Sequence, residues 1–317
     1  MRRLSPLLIL CFASVCWTAA SASTSSPATG DGKAGPVIGG CSVFPSDNPW
    51  NTDISKLPVH PNSKNYIVKI GEKKPMHPDF GTFYKGVPNG FRFAVVPDNQ
   101  PLVPISFEYS TQSDPGPYPI PENPPIEMRE DGEGDRHMLI VQQGACRLWE
   151  VYDAVQTGKR WKAGSGAVFD LGSNKLRPEG WTSADAAGLP ILPGLVRYDE
   201  VESGAIRHAL RFTAPRTQSA YIHPATHQAS RQTDPNFPPM GLRLRLKNTI
   251  NLSDFSPRIQ VIVRALQTYG MFLADNGSPW FLSGVHDLRW SDSELRQLAK
   301  IHGEDFEAAD TGSQRAK

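Results

Sequence analysis

The chain has 317 residues, with 33 Lys and Arg against 32 Asp and Glu, for a formal net charge of +1. So even a balance excludes broad electrostatic capture of nucleic acid or of an anionic membrane surface. The 29 prolines, 27 glycines and 9% aromatic content favour many short strands joined by punctuated loops, and the length suits one large β-rich domain.

The chain opens on a cationic Met1-Arg2-Arg3, followed by an apolar stretch from Leu7 to Ala20 that is too short to span a bilayer. Ala20-Ser21-Ala22 then supplies the small-x-small pattern of a cleavage site, so residues 1–22 read as a secretory signal peptide. A secreted or periplasmic protein is expected, with glycans, peptides and surfaces rather than diffusible nucleotides as its partners. Residues 23–39, STSSPATGDGKAGPVIG, hold too little apolar surface to offset ordering and read as a disordered linker. Of the four cysteines, Cys11 and Cys16 fall in or beside the signal stretch. Cys41 and Cys146 remain, and in an oxidising compartment a lone pair forms one bridge.

A single β-rich domain is expected over residues 40–309, with a polar tail at 310–317. Asp114 to Pro125 is too proline-dense for a paired strand. The segments HMLIV and CRLWEVYD, joined by QQGA, read as a hairpin between Asp135 and Asp153. Ile206 to Thr213 followed by Ala220 to Ile222 suggests a second hairpin. Over Met240 to Lys247, strict alternation turns Leu242, Leu244 and Leu246 inward and Arg243, Arg245 and Lys247 outward. Ser256-Pro257 and the spacing of Ile259, Ile262, Val263 and Leu266 predict a helix at 257–269. Ser291 and Glu294 form a capping box for a helix at 292–301. No later segment is long and apolar enough to span a membrane, and no fixed period points to a repeat architecture. The fold expected is mainly β, a two-sheet, jelly-roll-like sandwich with short peripheral helices.

The strings GSGAVFDLGSN, GWTSADAAGLPILPGLVRYDEV, HALRFT and YGMFLADNGS, with FPSDNPWN and DRHMLIV upstream, resemble a family of secreted proteins without an established activity. The resemblance covers most of the mature chain and implies no catalytic residue, so chemistry has to be argued from the side chains.

Three carboxylates stand out. Glu150 sits in mid-strand between Leu148 and Tyr152 on one face, where desolvation would raise its pKa as a general acid requires; a salt-bridged or solvated strand glutamate is the structural alternative. Asp185, in TSADAAGLPI, has small neighbours that would let a ligand approach, or it caps a helix. Asp275, in LADNGSPW, is a third candidate, with the start of an Asn-Gly turn as its simpler role. Paired carboxylates would give glycoside hydrolysis, with Glu150 as general acid and Asp185 as nucleophile or base. Trp149, Trp181 and Trp280 would then stack on sugar rings, as would Trp161, although strand aromatics commonly fill cores. Arg207 joins the candidate substrate-binding residues, and with Arg211, Arg243, Arg245 and Lys247 it would make a basic face for an acidic polysaccharide if the two strands are neighbours.

The leading expectation is therefore a secreted carbohydrate-active enzyme, a glycoside hydrolase with no cofactor, whose partner is a polysaccharide or cell-wall glycan. A noncatalytic glycan-binding or cell-envelope protein is the first alternative. The second is a metal-dependent enzyme holding zinc or copper through His137, His208 and His227. Pro224 interrupts any regular helix that would align His223 with His227. Ser165 and Ser183 lack the strand-turn-helix elbow of a nucleophilic serine.

Overall fold

The structure, a computed structural model, describes residues 35–127, 134–312 and 314–316. The signal peptide and most of the linker read from the sequence lie outside these residues.

The strand patterns resolve into two principal sheets with smaller ones around them. Four strands make the first: β4 (Phe93–Val96), β5 (Met138–Gln142), β6 (Arg147–Tyr152) and β7 (Ser165–Asp170), in the order β7-β6-β5-β4. The expected hairpin is β5 and β6, antiparallel with Ile140 opposite Trp149. Both of its faces are covered, so β5 is buried throughout, which explains why neither face reads as cleanly polar.

The second sheet has six strands: β1 (His77–Asp79), β8 (Leu210–Ala214), β9 (Arg243–Leu246), β10 (Met271–Asn276), β11 (Phe281–Ser283) and β12 (Phe306–Ala308). Their order is β12-β9-β10-β8-β11-β1, with β8 parallel to β10 and antiparallel to β11. The pairing expected between Ile206–Thr213 and Ala220–Ile222 is absent. Ala220–Tyr221 instead pairs with Arg315–Ala316, inside the stretch read as a polar tail. Val37–Ile38 likewise pairs with Cys41–Ser42 and buries Ile38, so paired structure starts inside the stretch read as linker. The protein is mainly β, with several sheets and few short helices.

The largest departure is at β9. Leu244 and Leu246 are buried as expected, but so are Arg243 and Arg245. Their guanidinium groups donate to main-chain carbonyls that the alternation rule cannot see: Arg243 to Pro49, Thr52 and Tyr269, and Arg245 to Ile54 and Leu57. The 49–57 segment covers that face and needs donors there, because buried carbonyls without partners are costly. The basic polysaccharide-binding face therefore does not exist.

Helix α3 (Pro257–Thr268) forms where its apolar spacing predicts, burying Ile259, Ile262, Val263 and Leu266 against β9. Near the end, α4 (Asp292–Leu295) is capped by the Ser291 hydroxyl, which accepts from the Glu294 amide, and continues as a 3₁₀ turn at Arg296–Lys300. Two helices had no strong signal: α1 (Ser63–Ile70), with Tyr66, Ile67 and Ile70 on its buried side, and the short α2 (Tyr198–Glu202). No helix among the described residues is long and apolar enough to cross a membrane.

Cys41 and Cys146 form the expected disulfide, tying residues 105 apart in sequence. Closing a loop of that length stabilises the fold by up to about 4.7 kcal/mol through the unfolded chain. A Cys41→Ala/Cys146→Ala variant is expected to lose about 2–5 kcal/mol in urea unfolding, and thiol titration of denatured, unreduced protein should find neither of these cysteines free.

Candidate active site

The two sheets meet at a polar cleft of about 480 Å³, a size within the range of small-ligand sites, about 300–1,000 Å³. The first sheet contributes His137 just ahead of β5, Tyr152 at the end of β6 and Ser165 at the start of β7. The second contributes Asp275 and Asn276 from the end of β10. The 182–186 segment, small and polar as the sequence suggested, forms part of the wall. No Lys or Arg lines the cleft.

Arg211, on β8, lies behind the lining and holds Asp185. Its Nε donates to Asp185 Oδ2 at 2.8 Å and its Nη2 to Asp185 Oδ1 at 3.2 Å. Nη1 donates to Ser283 Oγ at 2.6 Å, and Nη2 lies 3.8 Å from Asp275 Oδ2. Phe91 stacks on the guanidinium, 5.3 Å from ring centre to Cζ. Burial alone would lower the pKa of this arginine, but the facing carboxylates, Asp185 foremost, raise it instead. Asp185 is thus in the cleft wall, but its side chain is 0% exposed and each of its oxygens accepts from Arg211.

Asp275 differs. Burial and then the Asp185 charge push its carboxyl up to about 7, against the pull of Arg211. Its side chain stays 29% exposed, and its Oδ1 accepts from the Asn276 amide at 2.7 Å. A carboxylic acid that keeps its proton near neutrality while facing a cleft has the property required of a general acid.

Glu150 has no such access. It is fully buried, and its carboxylate accepts from the backbone amides of Ile191 and Leu192 at 2.9–3.0 Å. Burial pushes its pKa up to about 7 despite those amides. It anchors the loop behind the cleft and is not among the residues that line it, whereas Asp185 and Asp275 are. The folded-state pKa lies above the unfolded one, so the favourable contribution of Glu150 is complete at low pH and is lost as pH rises through about 7. Glu150→Gln is therefore expected to gain stability relative to the parent as pH rises from about 4.5 to about 7, and to hold that gain above it, read as the difference between their urea midpoints.

Of the three candidate histidines, His137 and His227 line the cleft and His208 does not. His137 Nε2 lies 3.1 Å from the Ala184 carbonyl, which can only accept, and Nδ1 lies 2.5 Å from Glu127 Oε2. Burial would lower the His137 pKa, but the Glu127 hydrogen bond and charge overcome it and raise it. Burial would raise Glu127, and the same contact lowers it. Nε2–H donates to the Ala184 carbonyl and Nδ1 shares its hydrogen bond with Glu127, so both ring nitrogens are engaged within the protein. His208, outside the cleft, places its nitrogens against the Ala209 carbonyl and Glu200. His227 lines the cleft with Nδ1 2.8 Å from the Ala186 carbonyl. Among the described residues no group of three His, Cys, Asp or Glu side chains is arranged to hold a metal ion.

The tryptophans are also elsewhere. Trp280 is fully buried between Phe212 and Phe306, and Trp149 packs on Tyr118 with its Nε1 donating to Gln142. Trp161 is buried in the core, and Trp181, half-buried, lies beside Arg177. Arg207 is half-buried and outside the cleft. The exposed aromatic at the rim is Tyr109, 47% accessible. Ser165 and Ser183 donate their hydroxyls to the Ser183 and Leu189 carbonyls, which leaves neither as a nucleophile. Sequence reasoning missed Tyr109, Glu127 and Asp135 as site residues; the one local signal was the DRH string directly ahead of the strongest strand.

Comparison of the chain with protein-family models, with curated proteins and with solved structures finds no match.

Proposed function

We propose that the protein is a secreted glycoside hydrolase with Asp275 as its general acid. The observation that carries this reading is a cleft-facing carboxyl pushed up to about 7 by burial and by Asp185, in a cavity whose other groups are mostly hydroxyl, amide and carboxyl. Asp275 gives its proton to the glycosidic oxygen as the bond to the anomeric carbon breaks. Asp135, exposed in the same lining, takes a proton from the water that attacks that carbon, so a carboxylate pair performs the hydrolysis. Exposed Tyr109 supplies a ring face for the sugar. Export is supported by the Cys41–Cys146 disulfide together with the signal-like N-terminal sequence.

The test is a polysaccharide panel assayed for new reducing ends, run with the parent protein and with Asp275→Asn. Reducing ends released by the parent and lost in the variant are the expected result. Glycan binding without turnover in the parent overturns the enzymatic reading in favour of a binding protein.

A further inference from the structure

A second cavity, of about 300 Å³, adjoins the first: Asp135 lines both, and the buried ion pair joins them, with His137 in the first lining and Glu127 in the second. Its outer wall is a two-strand ribbon, β2 (Phe83–Tyr84) paired with β3 (Val87–Pro88). Tyr84 lines this cavity and is 63% exposed, with Lys85 Nζ 5.5 Å from its ring centre. Tyr109 holds the equivalent position on the first cavity. Two cavities, each edged by an exposed tyrosine, share one carboxylate between them.

We infer that the two cavities are successive subsites of one groove, and that its ligand is an oligosaccharide without acidic groups, long enough to rest on both Tyr109 and Tyr84. The inference rests on the glycosidase reading and names its substrate class. Charge sets the class: Asp185 is balanced by Arg211 behind it and Asp275 holds its proton, which leaves Asp79, Glu127 and Asp135 in the two linings against Lys85 and the His137 ring, with His227 beside them. Uronic or sulfated sugars would bring further negative charge to these walls, whereas hydroxyls and amines find acceptors. An aromatic face adds a contact worth roughly a two- to tenfold change in affinity, which is how a distal tyrosine would read chain length.

The experiment is an amide-shift titration of the full-length mature protein carrying Asp275→Asn, to prevent turnover. The probes are chito- and cello-oligosaccharides as dimer, tetramer and hexamer, with oligogalacturonate as the acidic control. The expected result is that dimers shift amides around Thr182 and Asn276, while tetramers bind more tightly and also shift Val87 and Gly90. Adding Tyr84→Ala should cut the affinity gained from dimer to tetramer by roughly two- to tenfold; this ring is exposed on its ribbon, so folding survives its loss. Shifts confined to the first cavity at every length overturn the extended groove and leave the glycosidase reading standing. Tighter binding of oligogalacturonate overturns the substrate class. No shift in either cavity with any sugar overturns both.

Discussion

Replacing Arg211 by Met is expected to destabilise the protein by about 3–5 kcal/mol, the largest effect of any single exchange near the cleft. The guanidinium is 4% exposed and the Asp185 side chain 0%, so the variant strands a carboxylate with no water and no cation. The Ser283 hydroxyl loses its donor as well. Much of the loss is the penalty of the orphaned charge, not the net worth of the ion pair. Adding Asp185→Asn to Arg211→Met should therefore recover part of the loss, giving a cost well below the sum of the two singles. Urea unfolding of the four proteins measures this. Strict additivity would mean that the two groups do not act as a pair.

Arg211 also shows what the sequence could and could not disclose. Its strand was legible, because β-branched and aromatic residues flank it in HALRFT, but its partner was not: Asp185 lies 26 residues away in a loop, and no periodicity links a strand arginine to a loop aspartate. Glu150 was correctly placed on a strand beside Leu148. Whether it faced solvent or a buried loop depended on the amides of Ile191 and Leu192, some 41 residues on. Arg243 and Arg245 follow the same logic, since the carbonyls that pull them inward come from a segment about 190 residues earlier. What was readable came from local pattern: the β5–β6 hairpin from its apolar run, α3 from its spacing and the disulfide from counting cysteines. Asp275 and the small residues around Asp185 were legible as candidates, because glycine, alanine and short polar side chains mark places where a ligand can approach. Their coupling through Arg211 depended on β8 pairing with β10 and on the loop of Asp185 reaching the same guanidinium, which no short window of sequence contains.

Asp275→Asn is expected to lower hydrolytic turnover by about 10²- to 10⁴-fold while leaving the fold intact. Asparagine keeps the oxygen that accepts from the Asn276 amide and gives up only the transferable proton. The parent carboxyl is held protonated up to about 7, so activity that needs the acid form should fall as pH rises through that value. The same group affects stability in a direction that can be checked. Its folded pKa lies above the ordinary 3.8, so the folded state binds the extra proton, and this contribution, complete below about pH 4, is lost as pH rises through about 7. Asp275→Asn removes that dependence, so the variant should gain on the parent between about pH 4 and about pH 7 and hold that gain at higher pH. A carbon-13 carboxyl titration supplies the decisive reading without any substrate: one aspartate resonance with a midpoint near 7 in the parent, missing from Asp275→Asn. If the resonance lost with Asp275 titrates in the ordinary carboxylate range, the residue carries no proton at neutral pH and cannot be the acid.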